Sequence, residues 1–157
     1  MPHLHEKIDF TASVYVVNDG AVLLHLHQKT GKWLPVGGHV ELDEDPNQAV
    51  LREAKEESGL TIRLIGELPD RGEDDGHREL LPPRFMNRHR FLPGGAHEHV
   101  DLVYFGRAKT RAVNPAKSEA ETEYRWFTDD ELDAARMVLP TIRRYAKAAL
   151  EAAARES

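Results

Sequence analysis

Residues 38–60 read GHVELDEDPNQAVLREAKEESGL, and this stretch decides the fold. Asp45 is placed to cap a helix and Pro46 to occupy its first position, where a missing N–H costs nothing. Gly59 stops the helix, so the reading is a helix over 46–58, opened by a turn at Gly37-Gly38. Glu53, Glu56 and Glu57 stand at i, i+3 and i+4 and project from one face. Three like charges on one face destabilise an isolated helix, and a divalent cation reverses the sign of that interaction. Oxygen-only donors suit a hard ion such as Mg²⁺. Ala49, Val50 and Ala54 leave a small apolar face to lie on a sheet.

Upstream, Ile8–Val17 (IDFTASVYVV) and Ala21–Gln28 (AVLLHLHQ) read as strands of a hairpin about Asn18-Asp19-Gly20. Residues 29–32 turn again, and Trp33–Val36 is a short extended piece leading to the two glycines. Downstream, Thr61–Gly66 is a strand, and 68–83 an exposed irregular loop holding Glu73-Asp74-Asp75 and Pro82-Pro83. Arg84–Leu92 and His99–Ala108 form a second hairpin around Pro93-Gly94-Gly95. A polar loop over 111–121 leads to a strand over 123–127. Thr128 then caps a helix over 129–136 with Glu131 as its box partner, and an Ala-rich helix runs from Pro140 to Arg155. A β-rich core with helices on both faces is an α/β or α+β sandwich, here one domain over 1–157.

The 157 residues suffice to bury a core, and 40% hydrophobic with 31% charged residues is ordinary for a globular chain. The chain has no cysteine, which excludes a disulfide framework and thiolate chemistry. Met1–Lys7 hold no apolar run, and no stretch approaches the roughly 20 apolar residues of a membrane span; the expected location is cytoplasmic. A net charge of −6 argues against duplex nucleic acid as partner but not against small phosphorylated substrates.

Gly38, Glu44, Arg52-Glu53-Ala54, Glu56-Glu57 and Gly59-Leu60 fall at every fixed position of the Nudix box, and the segment resembles that family. A weaker likeness extends to the preceding strand pair and to Trp126-Phe127 with Glu131-Leu132. The resemblance implies an α/β/α sandwich with a mixed sheet, carrying the box as a loop-helix-loop. It implies one to three divalent cations, Mg²⁺ or Mn²⁺, held by Glu53, Glu56, Glu57 and the carbonyl of Gly37. It implies hydrolysis of a diphosphate in a nucleotide derivative, either an ADP-ribose or nucleotide-sugar type or a nucleoside triphosphate. Glu56 or Glu57 then serves as base, or else Glu119 or Glu121 from the later loop, both better placed than Glu123. Arg52 orients the box glutamates and Glu44 braces the loop. Two other readings of the same fold are a non-catalytic module that senses a nucleotide or sugar diphosphate, and isomerase chemistry on isopentenyl diphosphate. The absence of cysteine disfavours the isomerase.

Further candidates lie outside the glutamates. His39 is a phosphate contact one residue beyond the glycines. His97 and His99 alternate at the start of a strand and therefore point to one side, as phosphate contacts, as a second metal site, or as a polar beginning to the strand. His25 and His27 alternate likewise and are read as solvent-facing. Arg84, Arg88 and Arg90 with His89 make a basic strand that can hold phosphate or simply face water. Trp33, Phe85, Tyr104 and Phe105 are core residues or base-stacking platforms, and the apolar side of the last helix offers a surface for a homodimer.

Overall fold

β1 (Ile8–Asn18) is the spine of a mixed sheet. One edge of it pairs in parallel with β7 (Glu98–Ala108), from Ile8 against Glu98 to Val17 against Arg107. Its other edge is shared: β4 (Val36–His39) pairs antiparallel with Thr11–Val14, and β2 (Ala21–His27) with Val16–Asn18. β7 is shared in the same way, between β6 (Phe85–Arg90) and β5 (Ile62–Leu64). β3 (Lys32–Leu34) and β8 (Tyr124–Phe127) flank β2. The structure, a computed structural model, describes residues 6–68, 76–116 and 121–156.

Period-2 alternation sends β1 to two cores. Ala12, Val14 and Val16 meet Ala49, Val50 and Ala54 of α1 (Pro46–Ser58) on one face. Tyr15 and Val17 meet Tyr145, Ala146 and Ala149 of α3 (Pro140–Arg155) on the other, where α2 (Asp129–Ala134) adds Leu132. The alanine stripe of α3 leaves room for large rings. Phe85 stacks on Tyr145 at 4.7 Å, and Tyr15 meets Tyr145 edge-on at 6.0 Å. The apolar side of α3 is thus covered by the chain's own sheet. The α/β/α sandwich matches the expected class, and no helix among the described residues is long and apolar enough to cross a membrane.

Helices α1 and α3 have the expected bounds, and Thr128 caps α2 with Glu131 as its box partner. β1 and β7 each gain a residue, the piece over 33–36 divides between β3 and β4, the other strands are trimmed by one to three residues, and α2 ends at Ala134 rather than 136. Three expectations are corrected. Gly37-Gly38 is not a turn but the middle of β4, because Gly37 and Gly38 pair with Ser13 and Ala12. The glycines serve close approach. A Cβ on Gly37 would lie 2.4 Å from the Ala12 carbonyl oxygen, and one on Gly38 would lie 2.3 Å from Glu53 Oε1. His25 is not solvent-facing. Its Nε2 donates to the Pro35 carbonyl at 3.1 Å beside Tyr124, and burial holds its pKa below the usual range. The loop after β5 is not wholly exposed either: Leu81 is buried beside α1, with Asn47 bonding both its carbonyl (2.9 Å) and its amide (2.8 Å). The acidic run at 73–75 lies outside the described residues.

Candidate metal and catalytic site

Helix α1 is fixed at both ends. Asp45 accepts from the Gln48 amide while the Gln48 side chain accepts from the Asp45 amide. Gly59, at φ 75°, closes the helix with its N–H on the Lys55 carbonyl. With Ala49, Val50 and Ala54 turned into the core, the arc carrying Arg52, Glu53, Glu56 and Glu57 comes to the helix edge beside β4.

Arg52 organises this edge. Its Nε and Nη2 grip Glu44 as a fork at 3.0 and 2.6 Å. Its Nη1 donates to Glu53 at 2.9 Å and to Glu56 at 3.1 Å, and its Nη2 also reaches the His39 carbonyl at 3.1 Å. Glu57 Oε2 accepts from the Gly37 amide at 2.9 Å, and Tyr124 Oη donates to the Glu57 carbonyl. The hydrogen bond from Arg52 pulls the Glu44 pKa down. Glu53 goes the other way: burial raises its pKa, against the opposing pull of Arg52. A single guanidinium faces Glu44, Glu53 and Glu56, with Glu41 at 3.9 Å. Negative charge therefore exceeds positive here. The bare backbone of Gly38 brings the strand against Glu53, leaving an oxygen-only cradle that fits a hard divalent cation.

The remaining candidates are distributed as follows. Glu121 precedes β8 and is exposed; Glu119 lies outside the described residues. The loop leading to them is pinned to the end of α1, with the Asn114 amide on the Ser58 carbonyl (2.8 Å) and the Ala116 amide on the Glu56 carbonyl (3.1 Å). Arg84 lies over the Phe105 ring at 5.2 Å, and Arg88 binds Glu98 across the strand pair. Tyr104 and Phe105 are core residues, and Trp33 packs edge-on against Phe127.

His39, His97 and His99 do converge, on the opposite face of the sheet from α1 and around Asp9. Asp9 is not among the candidates taken from the sequence. The signal for it was the alternation Asp9, Thr11, Ser13 at the start of an otherwise apolar strand, which marks a polar strip on one face. Asp101 extends the strip. It accepts from Thr11 at 2.9 Å and Ser13 at 2.7 Å, while burial raises its pKa against those bonds.

The architecture agrees with known proteins. The NUDIX domain family matches residues 8–150. An oxidized purine nucleoside triphosphate hydrolase from Danio rerio is 30% identical over 128 residues, covering 79% of this chain and 69% of that protein. The crystal structure of a NUDIX-family hydrolase from Clostridium perfringens superposes with a TM-score of 0.84 at 33% identity, covering 91% of this chain and 96% of that one. A MutT NUDIX hydrolase from Burkholderia pseudomallei shares the fold at 21% identity, with a TM-score of 0.65 over 90% of this chain and 98% of that one. The chain belongs to the Nudix family and is a pyrophosphohydrolase of nucleotide derivatives.

Proposed function

We propose that this enzyme hydrolyses a diphosphate linkage of a nucleoside triphosphate in a Mg²⁺- or Mn²⁺-dependent reaction, with ADP-ribose-type and nucleotide-sugar diphosphates as the competing substrate class. The observation that carries the metal requirement is the oxygen cradle of Glu53, Glu56 and Glu57 against β4, with its surplus of negative charge. The triphosphate reading draws on the Danio rerio relative, which bears that activity in its name.

In this reading Glu53, Glu56, Glu57 and the Gly37 carbonyl hold the cation. When bound, it neutralises phosphate charge and lowers the pKa of an attacking water. Arg52 is a positioning residue: its bonds fix Glu53 and Glu56, and its fork on Glu44 ties the loop before α1 to the helix. The Gly37 amide orients Glu57. The proton of the attacking water passes to a carboxylate. Glu56 and Glu57 are the candidates on the helix. Glu119 and Glu121 are the candidates from the later part of the chain, where the preceding Asn114 and Ala116 are bonded to the end of that helix.

The test is a panel of nucleoside triphosphates, ADP-ribose, dinucleotides and nucleotide sugars, incubated with Mg²⁺ or Mn²⁺. Released phosphate is measured directly and after a coupled phosphatase. Metal-dependent release from triphosphates is the expected result. Release from the diphosphate-linked compounds alone reassigns the substrate, and equal release in EDTA refutes the metal role.

A further inference from the structure

The cluster on the other face of the sheet uses none of the box carboxylates. The ladder builds it. Asp9 and His99 are direct neighbours in the parallel pairing of β1 with β7, and His39 enters from β4, opposite Thr11. Asp9 is 1% exposed and His99 6%. Asp9 Oδ2 lies 3.3 Å from His39 Nε2 and 3.2 Å from His97 Nε2. The His39 and His97 rings lie 5.1 and 5.3 Å from that of His99. One ligand atom each from Asp9, His39 and His99 falls within 4.8 Å of the others.

We propose that Asp9, His39 and His99, with His97 as the fourth donor, form a binding site for a transition-metal ion of the zinc class, distinct from the Mg²⁺ cradle of the box. The orientation of His97 supports it. His97 Nδ1 lies 3.2 Å from the Glu6 carbonyl, which can only accept, so Nδ1 carries the proton. His97 Nε2 then faces Asp9 Oδ2 at 3.2 Å, in position to share a cation with it. An imidazole whose far nitrogen is tied to a carbonyl is the usual arrangement of a metal-bound histidine. Ligand bonds of about 2.0–2.1 Å in tetrahedral geometry put donors about 3.3 Å apart, the separation found on both sides of Asp9. The donor chemistry separates the two sites: imidazole nitrogens suit Zn²⁺, Co²⁺ or Ni²⁺, whereas the all-oxygen box suits Mg²⁺. A metal here staples β4 to β1 and β7, and so braces the strand that carries Gly37 and Gly38.

The experiment takes the chelator-stripped full chain in saturating Mg²⁺ and adds Zn²⁺, then separately Co²⁺. The expected result is about one Zn²⁺ per chain, a raised melting temperature, and visible Co²⁺ bands of tetrahedral intensity. E57Q should leave all three unchanged. H99Q and D9N should each weaken Zn²⁺ binding about 10- to 100-fold or more. Loss of the zinc response in E57Q with its retention in H99Q places the ion in the box and overturns the proposal. So does the absence of stoichiometric binding, which makes the cluster a proton-sharing histidine–aspartate group. If H99Q and D9N do not fold, the wild-type Co²⁺ spectrum decides alone, because an octahedral oxygen-type spectrum overturns the proposal.

Discussion

Gly37 and Gly38 are adjacent in β4, yet alanine at each should fail in a different way. A Cβ on Gly38 would lie 2.3 Å from Oε1 and 2.5 Å from Cδ of Glu53. That is about 1 Å short of an ordinary contact, so the carboxylate must swing away by about that much. The obstacle is the end of a flexible side chain, and stability should barely change. A metal-holding group displaced by about 1 Å costs about 100-fold in turnover, or about 2.7 kcal/mol of barrier. A Cβ on Gly37 would instead meet backbone, at 2.4 Å from the Ala12 carbonyl oxygen and 2.7 Å from Ser13 Cα. Strand β1 cannot yield cheaply, and G37A should lose about 1–3 kcal/mol of stability. For a chain of this size that lowers the melting temperature by about 2–12 °C. Thermal melts of both variants, with kcat/KM on the substrate the panel identifies, give the comparison. A G38A enzyme with wild-type turnover, or one that melts as early as G37A, refutes the reasoning.

Other consequences are equally direct. E57Q removes a charge while its amide oxygen can still accept the Gly37 N–H, so turnover should fall about 100-fold or more with the melting temperature held or raised. The stabilisation that Mg²⁺ gives the wild type should shrink with it, as a melting series against Mg²⁺ concentration will show. Burial holds the His25 pKa below the ordinary histidine value of about 6.5, so below that pH the unfolded chain takes up a proton that the folded chain resists. Stability should therefore fall as pH drops through this region and stay level above it. H25Q, which can still donate to Pro35, should show a flatter urea-midpoint profile. Alanine at Gly59 combines a φ of 75° with a Cβ 2.0 Å from the Asn114 carbonyl oxygen, and should cost about 2–5 kcal/mol in denaturant unfolding.

Much of the fold could be read from local chemistry. The bounds of α1 follow from Asp45, Pro46 and Gly59, because caps act within a turn of the residues they satisfy. The spacing of Glu53, Glu56 and Glu57 put them on one arc, since helical geometry is local too. Less legible was whatever depended on distant partners. The glycines read as a turn because nothing nearby revealed that β1 and Glu53 would close on them from two sides. His25 read as solvent-facing because its cover, Tyr124, comes from a strand about a hundred residues later. Alternation singles out His97 and His99, but nothing in the sequence joins Asp9 to them. A single carboxylate in a strand means little until the parallel pairing sets His99 beside it.

That parallel pairing has a consequence for the chain during synthesis. Ile8 meets Glu98, so β1 emerges some ninety residues before the strand that covers one of its edges. β2 and β4 can close the other edge early, because they follow within about thirty residues. Until β7 arrives, a strand whose second half is apolar presents a row of unpaired amides and carbonyls, the template on which strands of other molecules add. Premature termination anywhere between β4 and β7 should therefore yield a product prone to aggregation rather than a smaller folded domain, and the nascent enzyme has most need of a holding chaperone in that interval.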